Sequence, residues 1–102
     1  AYRRPDGRIA VFRMDRHVER MRQSARQLVL PEPDPRQFAD MVRAVIDRDR
    51  AQVPEAPGAL YLRPMLIGTT QNIGAAATPS TDAMLIVLAS PVWDYFAGGM
   101  KP

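Results

Sequence analysis

Cysteine is absent from this 102-residue sequence, and lysine and histidine each occur once. Without cysteine there is neither a disulfide framework nor a thiolate metal site, and one histidine argues against zinc. With one lysine, Lys101, the net charge of +3 rests almost entirely on arginine, which reflects an arginine-rich coding bias as readily as a nucleic-acid partner. No apolar run approaches the roughly 20 residues that span a bilayer, and no basic start leads into an apolar core as in a signal peptide. A soluble, cytoplasmic protein is the expectation. Gly68 and Gly74 stand too far apart for a glycine loop around phosphate. His17 has only sequence-distant serines for company, and nothing near it supplies an oriented carboxylate, which argues against a catalytic triad. Asp40, Asp47 and Asp49 interleave with Arg43, Arg48 and Arg50, the pattern of a solvated mixed-charge helix face.

With 46% hydrophobic and 25% charged residues, the chain has material for one core and one domain. It opens on what already reads as a strand and closes on the connector-like "GGMKP", as a piece of a longer polypeptide would. "AYRR" and "RIAVF" flank Pro5, Asp6 and Gly7, which predicts a β-hairpin. The period then changes. Asp15 is placed to cap a helix with Val18, Met21, Ala25 and Leu28 on its apolar stripe, ending before Pro31. Asp34 and Pro35 start a second helix, whose stripe is Phe38, Met41, Val42, Val45 and Ile46. Two strand-like runs follow, "ALYLRPMLIGTT" and "DAMLIVLASPV". The order β-β-α-α-β-β predicts an α+β two-layer sandwich, a largely antiparallel sheet covered by two helices. Met41, Val45, Leu62, Leu66, Ile86 and Leu88 are the expected core.

Two places carry charge where apolar packing is expected. Strand alternation puts Leu60 and Leu62 on one face of "ALYLRP" and Tyr61 and Arg63 on the other, so a phenol and a guanidinium stand on a sheet surface. A guanidinium there needs an anion or a set of acceptors. In the first helix, His17, Arg20 and Ser24 recur at spacings of three and four, next to the apolar stripe. Arg20 either offers its donors to an oxyanion such as phosphate or snorkels along the core edge.

"RIAVFRMDRHVERMRQSARQLVLPE", "ALYLRPMLIGTTQNIG" and "LASPVWDYFAGGMKP", in this order, resemble the small N-terminal domain of branched-chain amino acid aminotransferases, fold type IV enzymes that depend on pyridoxal phosphate. The most specific elements are F-R-x-x-x-H-x-x-R-x-x-x-S-A, "LYLRP" followed by "IG", and the "SPV..YF..G" segment. The resemblance covers residues 1–102 and implies a domain incomplete at both ends, its large cofactor domain missing. It implies transfer of an amino group between leucine, isoleucine or valine and 2-oxoglutarate. Arg20 matches the arginine that binds the cofactor phosphate. Tyr61 and Arg63 match positions that help recognise substrate carboxylates, Tyr95 a pocket tyrosine in the segment joining two domains, and Tyr2 an aromatic wall. Ile73 and Ala75 match a loop that reaches across the interface of a homodimer or higher homo-oligomer.

The match is incomplete in two ways. The family commonly has a small residue at Trp93 and a larger aliphatic at Ala75, so a strict preference for leucine, isoleucine and valine does not follow. Transamination needs an amine that holds the cofactor and moves a proton at the substrate α-carbon. Lys101 sits in the connector, whereas similar enzymes place that lysine inside the large domain. No catalytic residue and no metal ligand is therefore assigned, and the fragment alone is expected to be inert. D-amino acid aminotransferases and aminodeoxychorismate lyase share the "R-x-x-x-S-A" helix but match the later segments less well. A stand-alone nucleic-acid-binding module is the alternative from another class, with Tyr61, Arg63 and Tyr95 on the strand. Interleaved acids and the lack of a contiguous arginine-aromatic cluster argue against it.

Overall fold

The structure, a computed structural model, describes residues 1–71 and 78–93. Its elements are β1 (Tyr2–Arg3), β2 (Ile9–Ala10), α1 (Met14–Gln27), α2 (Pro35–Arg48), a short 3-10 turn (Arg50–Gln52), β3 (Ala59–Gly68) and β4 (Ala83–Val92). The domain is α+β, as the element order implies. Its strands form two antiparallel pairs rather than one continuous ladder, β1 with β2 and β3 with β4. Reciprocal bonds of 2.7 Å between the backbones of Ala1 and Leu60 tie the pairs together. Arg3 adds a second tie, donating to the carbonyls of Arg50 (2.9 Å) and Val53 (3.2 Å).

The β1–β2 hairpin turns at Gly7, whose φ of 86° suits a residue without Cβ. The Arg4 amide donates to the Arg8 carbonyl (2.7 Å), and the Asp6 carboxylate accepts from the Arg8 amide (2.9 Å). α2 begins as its sequence predicts: Asp34 Oδ1 accepts from the amides of Arg36 (2.8 Å) and Gln37 (3.2 Å), with Pro35 at the first helical position. α1 does not. Its N-cap is Arg13, in the left-handed region at φ 51°, so the helix starts before Asp15 and places that residue in the first turn. Asp15 instead accepts from the Arg13 guanidinium (3.1 and 3.2 Å), which holds its carboxyl below the usual carboxylate range. Asp40–Arg43 on α2, and Asp47 of α2 with Arg50 of the 3-10 turn, form exposed ion pairs, in keeping with the solvated charged face read from the sequence.

The core is the seam between the helices and the inward side of β3–β4. Val18, Phe38, Val42, Ile46, Val53 and Leu60 are buried together, with Leu62, Leu85, Val87 and Ala89 packed against them. The expected core needs correction on β4. Leu62↔Ala89 and Arg63↔Leu88 are directly paired, and opposed residues in an antiparallel ladder share a face. Leu88 therefore stands on the Arg63 side and is 51% exposed, while Leu85, Val87 and Ala89 turn to the helices. Met41, Val45, Leu66 and Ile86 are half-buried. The run "AMLIVLA" is apolar on both faces, so alternation alone did not say which parity faces inward.

Candidate functional site

β3 pairs with β4 along one edge; along its other edge, among the described residues, it meets only Ala1 at Leu60. Beside that second edge, between β3, the β1–β2 hairpin and α1, lies a cavity of about 620 Å³. This is in the range of small-molecule sites, roughly 300–1,000 Å³. Its floor is apolar, built from Phe38, Val42, Leu60 and Met21. Its walls carry the polar groups: His17, Arg20 and Ser24 from α1, Tyr2 from β1, Tyr61 and Arg63 from β3.

Each position follows from local geometry. Spacings of three and four bring His17, Arg20 and Ser24 onto one side of α1, while Val18 and Ala25 turn into the protein and are buried. On β3, Leu60 is buried and Leu62 half-buried, whereas Tyr61 and Arg63 are exposed. The two guanidiniums, 43 positions apart in the sequence, thus come to one cavity from two different elements.

Among the described residues neither guanidinium has a partner. Arg8, Arg13, Arg22, Arg26, Arg43 and Arg50 pair with carboxylates, and Arg3 is held by backbone carbonyls. Among the described residues Arg20 and Arg63 make no ion pair or hydrogen bond, and the side chains of Tyr2, Tyr61, His17 and Ser24 make none either. The arrangement is a set of hydrogen-bond donors, two of them permanently charged, over an apolar floor. Its chemistry suits an anion with an apolar portion, such as a phosphate ester or an amino acid carboxylate.

The family model described as "Amino-transferase class IV" matches residues 2–97. The chain belongs to the class IV aminotransferase family. Relatives include the "Branched-chain-amino-acid aminotransferase" of Mycobacterium tuberculosis, 42% identical with 100% of this chain and 28% of the relative covered. The cytosolic branched-chain-amino-acid aminotransferase of Saccharomyces cerevisiae is 41% identical, with 99% of this chain and 27% of the relative covered. The "Probable branched-chain-amino-acid aminotransferase" of Streptomyces coelicolor is 40% identical, with 100% and 28% covered. The chain therefore spans little more than a quarter of the length of these aminotransferases.

Of the residues singled out in the sequence, Tyr2, Arg20, Tyr61 and Arg63 line the one cavity. Ile73, Ala75 and Tyr95 lie outside the described residues, as does Lys101. Trp93 is described, and its indole edge faces Gly58: a Cβ on that glycine would come within 3.0 Å of Trp93 Cδ1. The cavity also takes in Val11, Phe12 and Val92, which sequence reading did not mark. Nothing in the pattern of "IAVFRM" says that its apolar residues border a cavity. His17 and Ser24, which the spacing puts on one stripe with Arg20, line the cavity beside it. No helix among the described residues is long and apolar enough to cross a membrane.

Proposed function

We propose that the chain is the small domain of a pyridoxal-phosphate-dependent branched-chain amino acid aminotransferase of the cytoplasm. The complete enzyme moves an amino group between leucine, isoleucine or valine and 2-oxoglutarate. The observation that carries this reading is the pair of guanidiniums, Arg20 and Arg63, without a partner among the described residues and on different walls of one cavity. Transamination brings together two kinds of anion, the phosphate ester of the cofactor and the carboxylates of the substrates, so two separate cationic donors suit it. The names of the relatives support the branched-chain assignment.

In this proposal Arg20 grips the cofactor phosphate. The donor set fits that group, because a guanidinium with no ion pair among the described residues has its N–H bonds free for phosphate oxygens. When bound, pyridoxal phosphate supplies the electron sink that stabilises charge at the substrate α-carbon. Arg63 and Tyr61 bind a substrate carboxylate from β3, and Tyr2 forms an aromatic wall across from them. Tyr95 completes the pocket in the segment after β4. Ile73 and Ala75 cover the substrate side chain of the neighbouring subunit in a homodimer or higher homo-oligomer. The proton-transferring lysine belongs to the remainder of the enzyme, so this chain by itself catalyses nothing.

The test is cofactor retention. In the complete enzyme, Arg20→Ala is expected to lose pyridoxal phosphate on dialysis while the melting temperature of the apo form stays within a degree or two of the parent. Retention equal to the parent enzyme's would refute the role of Arg20.

A further inference from the structure

His17 is half-buried and lines the cavity that holds Arg20, and its ring, like those of Tyr2 and Tyr61, makes no hydrogen bond among the described residues. Its ring nitrogens are not shut off from water, and with no partner among the described residues they are open to a ligand that enters the cavity. The geometry points to the same partner as that of Arg20. The two residues are three apart on α1, which sets their Cβ atoms about 5–6 Å from each other and aims both side chains along one side of the helix. That separation lets two donors reach different oxygens of one phosphate group.

Two further observations agree. His17 lies in the fourth helical position of α1, near the end where unpaired amides give the helix its positive pole. Asp15 and Glu19, the carboxylates two residues to either side along the chain, are engaged by the guanidiniums of Arg13 (3.1 Å) and Arg26 (3.1 Å) and do not compete for the imidazole. A neutral imidazole still carries one N–H, so donation needs no change of protonation state.

We propose that His17 is a second hydrogen-bond donor to the phosphate that Arg20 binds, and so a positioning residue for the cofactor. The inference rests on the reading of Arg20 given above. The test compares three probes on the complete apoenzyme by calorimetry and ³¹P NMR: pyridoxal phosphate, inorganic phosphate and pyridoxal, which has no phosphate. His17→Ala is expected to weaken the first two by about tenfold and to leave pyridoxal unchanged, as loss of a hydrogen bond to a charged acceptor implies. His17→Gln keeps an N–H at similar reach and is expected to hold phosphate within about threefold of the parent enzyme. Equal weakening of all three probes by His17→Ala would mean a structural role and overturn the proposal. So would unchanged phosphate affinity in His17→Ala, or a glutamine variant as impaired as the alanine variant. Should the alanine variant fail to fold, the glutamine variant decides alone. Arg20→Ala separates the two readings: no loss of phosphate affinity there removes the assignment of Arg20 itself, whereas loss with Arg20→Ala and none with His17→Ala removes only that of His17.

Discussion

Arg63 shows how one side chain can be set by backbone geometry and left for a ligand. The pleat of β3 points it away from Leu60 and Leu62, and its direct neighbour across the ladder is Leu88, which offers no acceptor. A guanidinium so placed contributes nothing to the core. In the complete enzyme, Arg63→Lys should fold normally yet bind substrate poorly, because lysine keeps the charge but lacks the planar fork that holds a carboxylate at two points. The expected loss is about 1.5–3 kcal/mol, on the order of tenfold to a hundredfold in rate. Single-turnover measurements with leucine and with glutamate locate the contact. A loss confined to glutamate places Arg63 on the distal carboxylate; equal losses place it on the α-carboxylate. Unchanged kinetics with both would remove it from the site.

The ends of the two helices follow different rules. α2 is capped as its sequence dictates, and Asp34→Ala should lower stability by about 1 kcal/mol through two orphaned amides. A melting curve of the complete enzyme reads this directly. α1 stops in a way its sequence conceals. The Leu30 amide donates to the Ala25 carbonyl (2.9 Å) and the Val29 amide to that of Arg26 (3.2 Å), the paired bonds of a Schellman stop. The residue in its left-handed position is Val29, at φ 53°, where a β-branched side chain is strained. Val29 is 63% exposed, so little packing offsets that strain. Val29→Gly is therefore expected to stabilise the protein by about 1 kcal/mol, and a lower melting temperature would contradict this account.

At the scale of the whole molecule, one buried ring links the layers. Phe38 on α2 is 1% exposed, belongs to the core cluster with Val18 and Leu60, and also forms part of the cavity floor. Phe38→Ala should cost about 3–5 kcal/mol, since the surroundings of a large buried ring collapse only in part. The same substitution should loosen the site it underlies. Chemical denaturation and pyridoxal phosphate retention measured on one variant would show whether the two losses occur together; a fold barely weakened would mean that the core does not rest on this ring.

Much of this architecture lies in the one-dimensional pattern. A period of 3.6 marks both helices, a continuous apolar run marks β4, Asp34–Pro35 fixes where α2 begins, and the parity of "LYLRP" in β3 separates Tyr61 and Arg63 from Leu60 and Leu62. These are local properties, governed by residues within a turn or two of one another. Three matters required the folded chain. The inward parity of β4 depended on its register with β3, because both faces of that strand are apolar. The start of α1 depended on Arg13 adopting a left-handed backbone, which left Asp15 a bond to that guanidinium in place of a cap. The meeting of Arg20 and Arg63 in one cavity depended on how α1 settles against the edge of β3. Spacing along the chain says which side of its own element a residue occupies; only the packing of elements says which residues of another element it faces.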